Sequence, residues 1–186
     1  MKFRLLIIMI ICWLVSCGNG STKKTDKIVD HIDGVIENND YTIIYFGAHW
    51  CGPCISGFKN KMIDIIDENY DNVETVVIFF DSGNVIQNNE TIMKYSPILL
   101  QSLSGVDKTR VNGILKKLFK NPERINYMPV MILCDKEKNI IYSHMFPLTF
   151  WCVPKCREAW IVSIADKIVA SEETLRKYKK KEDGAQ

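Results

Sequence analysis

A chain of 186 residues has room for one domain with additions and is short for two, because single domains cluster near about 100 to 150 residues. Its composition, 47% hydrophobic and 25% charged, excludes a disordered chain and a polytopic membrane protein. A formal net charge of +2 gives no electrostatic case for nucleic acid, which requires basic residues gathered on one face.

In chain order, Lys2 and Arg4 precede an apolar run from Leu5 to Val15, the charged and hydrophobic regions of an export signal. The run is too short to span a bilayer, which takes about 20 apolar residues, and small polar residues follow it. Leu14, Val15, Ser16 and Cys17 resemble a bacterial lipobox, which implies cleavage after residue 16, acylation of Cys17 and a lipid anchor. A soluble secreted protein cut nearby is the alternative. Residues 17–26, rich in Gly, Ser, Thr and Lys, read as a flexible tether, and a folded domain is expected over 27–170.

Ile28, Val29, Ile32, Val35 and Ile36 recur at helical spacing and predict a first helix from Lys27 to about Asn38. Tyr41 to Phe46 is short, β-branched or aromatic, and bounded by polar residues and glycine, hence a buried strand. Ile55, Phe58, Met62, Ile65 and Ile66 mark one face of a following helix to about Asn69, and Val73 to Phe80 is a second strand. Strand, helix and parallel strand make a right-handed crossover. Residues 81–127 read as an insertion with helices over Thr91–Leu103 and Lys108–Phe119. Val130–Cys134 and Ile140–His144 predict a hairpin around the turn Asp135–Asn139. A last helix is expected from Pro154 to about Val169, then a polar tail over 171–186 whose basic run, Arg176 to Lys181, reads as a solvated helix end.

The chemistry is concentrated at Trp50, Cys51, Gly52, Pro53 and Cys54, where a buried strand passes into a helix. Thiols at i and i+3 reach each other across the first turn, and a helix N-terminus stabilises a thiolate through unpaired amides and its dipole. Cys51 is expected at an exposed lip as nucleophile, with Cys54 shielded as the resolving thiol. Lowering a thiol pKa from about 8.5 to about 7 raises the thiolate fraction at neutral pH roughly sixteen-fold. Lower nucleophilicity returns roughly five-fold of that gain. The larger advantages are that a low-pKa sulfur leaves readily, and that attack by Cys54 is intramolecular.

Phe46, Gly47, Ala48, His49 and the run Trp50–Cys54 resemble the active-site segment of the thioredoxin family, and Met128–Pro129 precedes the hairpin where that family carries a cis-proline beside its dithiol. The resemblance covers about Tyr41 to Val169, excluding the insertion. With the lipobox-like run, it points to the exported, membrane-tethered branch of thioredoxin-like reductases. It implies a thioredoxin-like α/β fold, a mixed central sheet flanked by helices with a helical insertion after the second core strand. It implies exchange of the Cys51–Cys54 dithiol with protein disulfides outside the cytoplasm, in the reducing direction, with no metal and no organic cofactor. Trp50, Gly52, Pro53, Met128 and Pro129 would form the substrate groove, and a membrane thiol donor would recharge the pair. Two positions depart from the family: Tyr45 stands where cytosolic thioredoxins bury an aspartate, and Val77 stands about where they place its lysine. A water, Asp81 or His49 is left as the proton acceptor for Cys54.

Of seven cysteines, Cys12 lies in the signal and Cys17 in the lipobox, which leaves Cys51, Cys54, Cys134, Cys152 and Cys156. An odd number requires a free thiol or an intermolecular bond. Cys152 and Cys156 read first as a local structural disulfide, with a second redox relay or unpaired thiols as alternatives, and a zinc site shared with Cys51 and Cys54 as the least favoured. Cys134 reads as a buried core thiol. His49 either favours the Cys51 thiolate or merely flanks it, and His31 and His144 read as structural or surface residues. The rival to catalysis is a partner-binding module that uses the insertion and keeps its dithiol structural.

Overall fold

The computed structural model describes residues 20–59 and 62–145. The elements are α1 (Gly20–Asn38), β1 (Tyr41–Ala48), α2 (Gly52–Lys59), α3 (Met62–Asn69), β2 (Val73–Asp81), α4 (Glu90–Met93), β3 (Ile98–Gln101), α5 (Asp107–Leu118), β4 (Val130–Asp135) and β5 (Ile140–Met145). The strands form one five-stranded sheet in the order β3-β2-β1-β4-β5. β1 pairs parallel with β2 and antiparallel with β4, so the sheet is mixed. This is the thioredoxin-like arrangement, and it places the strand that leads into Cys51 at the centre of the sheet.

Every residue of β1 is buried, which follows from its sequence: a run without alternation suits a strand covered on both faces. α1 and α5 pack on each other, while α2 packs on α3 and α4, giving two helical groups around the sheet. Ile28, Ile32 and Ile36 turn inward from α1 at a spacing of four residues. Below the dithiol helix, Tyr45, Phe58 and Phe79 meet edge-on or tilted at centroid separations of 5.2, 5.4 and 6.0 Å. Such pairs contribute about 0.5–1.5 kcal/mol each beyond burial. Gly47 is required here, since a Cβ would fall 2.6 Å from the Phe79 ring directly across from it on β2.

The structure departs from the sequence reading at two places. α1 covers Gly20–Asn38, so the segment Gly20–Asp26, expected as part of the tether, is helical, and the Asp26 carboxylate pairs with Lys117 on α5. The helix expected from Ile55 to Asn69 falls on α2 and α3, and residues 60–61 between them lie outside the described residues. The helix expected over Thr91–Leu103 is the short α4 followed by a strand, β3, parallel to β2. Pro97 explains the last difference. It cannot donate within a helix and drives the preceding residue out of helical geometry; Ser96 has φ +49°. Ile98 to Leu100 then find partners on Ile78 to Phe80. The insertion is therefore helical only in part and completes one edge of the sheet.

The hairpin forms as expected, closed by Asp135, whose carboxylate accepts from the Asn139 amide at 2.8 Å and its side-chain amide at 2.9 Å. The export signal, Cys17, Cys152, Cys156, the last helix and the polar tail lie outside the described residues.

Candidate active site at the start of the dithiol helix

β1 ends at Ala48, and the chain turns at once, with the Cys51 amide donating to the Ala48 carbonyl at 3.0 Å. Cys51 occupies the residue before α2, and Cys54 lies in its first turn. The two are joined by a disulfide with an S–S distance of 2.03 Å and Cα atoms 5.2 Å apart. The Cys54 amide donates to Cys51 Sγ at 3.2 Å. An unpaired N–H of a helix start thus points at the first sulfur, the arrangement that stabilises a thiolate there. The expectation of an exposed lip is corrected: Cys51 is 4% exposed and Cys54 is fully buried. The turn folds Cys51 back onto the hydrophobic core instead of leaving it at the rim.

The Met128–Pro129 peptide is cis. Because Phe46 pairs with Val130, this bond sits beside Gly47, at the end of β1 that carries the dithiol loop. Of the groove residues proposed from sequence, Trp50 is 49% exposed and Gly52 is open, Pro53 is half-buried, and Met128 is buried.

Tyr45, on β1, reaches the dithiol helix. Tyr45 is fully buried, burial pushes its phenol well above the ordinary 10.0, and its hydroxyl donates to the Cys54 carbonyl at 3.2 Å. A phenol held neutral this way is a donor and not a base. Val77 pairs directly with Tyr45, so an apolar neighbour replaces the lysine. Asp81 is committed elsewhere, accepting from the amides of Ile86 at 3.1 Å and Gln87 at 3.2 Å. His49 is half-buried, with Nδ1 at 3.3 Å from the Phe80 carbonyl and Nε2 at 2.9 Å from Ser82 Oγ. A carbonyl only accepts, which assigns the proton to Nδ1 and leaves Nε2 to accept from Ser82 in the neutral ring.

No protein-family model matches the chain, and no curated protein matches it. Among solved structures, the pneumococcal exposed lipoprotein thioredoxin Etrx1 from Streptococcus pneumoniae is 15% identical over 72% of this chain and 89% of its own, with a TM-score of 0.45. A protein assigned as the thiol:disulfide interchange protein DsbE from Chlorobium tepidum is 19% identical over 72% and 81%, at 0.44. A thioredoxin-like protein from Aeropyrum pernix is 14% identical over 77% and 97%, at 0.43. Likeness at these levels says nothing of activity or substrate.

One site residue was not anticipated from sequence. Asp107, the first residue of α5, is 2% exposed, and its Oδ2 accepts the Trp50 indole N–H at 3.1 Å. Ser102 Oγ donates to the same oxygen at 2.6 Å, and the Leu103 amide donates to Oδ1 at 2.9 Å. Between this loop and Trp50 lies a cleft of about 650 Å³, bordered also by His49, Ser82, Gly105 and Lys108. No local motif announces this: an aspartate opening a helix is common, and its partner is distant in sequence. Cys134 is a buried free thiol, pushed up to about 12 mainly by burial, and it donates weakly to the Thr42 carbonyl. His31 is exposed.

Proposed function

We propose that this chain is a thiol–disulfide oxidoreductase that reduces protein disulfides outside the cytoplasm. The observation that carries the reading is the Cys51–Cys54 disulfide at the start of α2 with the Cys54 amide directed at Cys51 Sγ. In the reduced form, the Cys51 thiolate attacks a substrate disulfide, forming a mixed disulfide and releasing one substrate thiol. Cys54, after losing its proton, attacks Cys51 Sγ, releasing the second thiol and leaving the oxidised pair. Two electrons pass to the substrate, and a membrane dithiol donor returns them. Trp50, Gly52, Pro53, Met128 and Pro129 form the groove in which an extended substrate lies. The lipobox-like run supports anchoring through Cys17.

Equilibration with glutathione followed by thiol alkylation tests the direction. A midpoint near about −270 mV fits a reductant, whereas one near about −120 mV makes the protein an oxidant. Failure of the reduced protein to cleave the disulfides of insulin would remove the catalytic reading.

A further inference from the structure

Resting on the reading of Cys17 as a lipid anchor, we propose that the dithiol end of the domain, with a basic corner beside it, is the face that rests on an anionic lipid surface. The direction of α1 sets this up. Only residues 39–40 separate α1 from β1, and the helix packs back along β1 and β2, so helix and strand run in opposite senses. Lys138, in the turn between β4 and β5, pairs with Asp33 and Glu37 near the end of α1, and Asp135 at that turn is level with Tyr41, the first residue of β1. The end of α1 therefore lies away from Cys51. The 19 residues of α1 rise about 28 Å and the 8 of β1 about 26 Å, which returns Gly20 near the level of Ala48, at the dithiol end. Cys17 precedes Gly20 by at most about 11 Å of chain.

That end presents the side chains that settle on a bilayer. Among the described residues, the exposed large apolar side chains are Trp50, Val85, Leu103, Val106 and Tyr127. They lie in the loops that follow β1, β2 and β3 and in the one that precedes β4, all at the dithiol end of the sheet. Tyr127 is 66% exposed, with Lys108 Nζ 5.9 Å from the centre of its ring. Aromatic rings and lysines with apolar stems are the groups that occupy the boundary between headgroups and acyl chains.

Basic charge flanks this rim. The first turns of α1 carry Lys23, Lys24 and Lys27, the last turn of α5 carries Lys116 and Lys117, and Lys120 follows; the contact of Asp26 with Lys117 joins the two helices. Asp26 and Glu123 are the acids of residues 20–27 and 116–124, and Asp26 is already paired. The far end of the domain sets Asp33, Glu37 and Asp40 against Lys136 and Lys138, and has no such excess. A polypeptide substrate accounts for an apolar rim. It does not account for a positive corner at the point where the anchor leaves the domain, whereas an anionic leaflet accounts for both.

The test uses the mature protein purified from membranes and reconstituted into vesicles of phosphatidylcholine, alone or mixed equally with phosphatidylglycerol, with lysine acetylation mapped by mass spectrometry. Lys108, Lys116 and Lys120 are expected to label at least about three-fold more slowly on the anionic vesicles, with Lys136 unchanged and the difference lost at high salt. Lys116→Glu combined with Lys120→Glu, both at exposed positions, should abolish the protection of Lys108 and leave insulin reduction in detergent at the wild-type rate. Protection of Lys108 that survives in this variant, or protection centred on Lys136, overturns the proposal. Protection that follows protein density and not lipid charge assigns the rim to a second copy and overturns it equally.

Intact mass of the same sample reads the anchor separately. An acylated chain that labels equally on both vesicles removes the lipid-facing surface alone. An unacylated chain that floats with the anionic vesicles and not with phosphatidylcholine supports the surface and removes the anchor alone. Lys108 protection in a protein that fails to reduce insulin supports the surface and counts against the proposed function.

Discussion

Exposure separates Cys51 from Cys54 by little, 4% against 0%, so access alone does not divide their roles. What differs is the donor: Cys51 Sγ receives the Cys54 amide, while Cys54 sits inside the turn beneath it. Cys54→Ser is therefore expected to trap mixed disulfides between Cys51 and substrate proteins, visible on non-reducing gels and lost on adding reductant, and Cys51→Ser to trap none. Equal trapping by both variants would refute the assignment of Cys51 as nucleophile. A second expectation concerns alkaline pH. A thiol that ionises near 9.0 when unfolded keeps its proton to about 12 at Cys134 in the fold. Between those values the unfolded chain binds fewer protons, so this contribution is complete below pH 9 and is lost as pH rises toward 12. Tyr45 acts in the same sense above 10.0. Urea midpoints measured at rising pH should fall less steeply for Cys134→Ala than for the wild type; an unchanged slope would show that the thiol does not contribute.

At the scale of elements, what was legible were segments whose burial declares itself locally. β1, β2 and β4 are apolar runs with polar or glycine boundaries, and the hairpin turn carries its own cap in Asp135. β3 was not legible, because Ile98 to Leu100 continue the apolar pattern that began at Thr91. Pro97 was the overlooked sign, since a strand of four residues gives periodicity too little length to register. The helical state of Gly20–Asp26 was missed for a related reason: its Gly, Ser, Thr and Lys content reads as a tether, and the contact of Asp26 with Lys117 comes from far along the chain. The segment after α5 shows how such distant pairs act. Asn112 Oδ1 accepts the Ile125 amide at 2.8 Å, and its Nδ2 donates to the Ile125 carbonyl at 2.9 Å, pinning the stretch that leads to Met128–Pro129. Asn112→Ala is expected to destabilise the fold by about 1–3 kcal/mol, because it leaves those two groups without a partner. Amide exchange at Ile125 should accelerate more than at the β1 core, and uniform acceleration would mean that the pin is not local.

For the whole molecule, the site divides into a part written contiguously and a part assembled by folding. The run Trp50 to Cys54 carries its chemistry in five adjacent residues, and Met128–Pro129 is recognisable by its place before the hairpin. Asp107 reaches Trp50 across a sequence separation of 57, and no pattern in either segment anticipates the pairing. The proposed anchor makes a prediction at this same scale: the mature N-terminus should be an acylated Cys17, and intact mass spectrometry showing an unmodified chain that begins elsewhere would exclude it. An anchor also gives the central position of β1 a mechanical meaning. With lipid at Cys17 and a substrate covalently held at Cys51, tension between membrane and substrate runs along α1 and then lengthwise through β1. Because β1 is hydrogen-bonded to β2 on one side and β4 on the other, that load shears both ladders at once and does not unzip either from an end. α1 packs on β1 and β2 outside the sheet's ladders, so under pulling the domain should lose α1 first and keep its grip on the substrate.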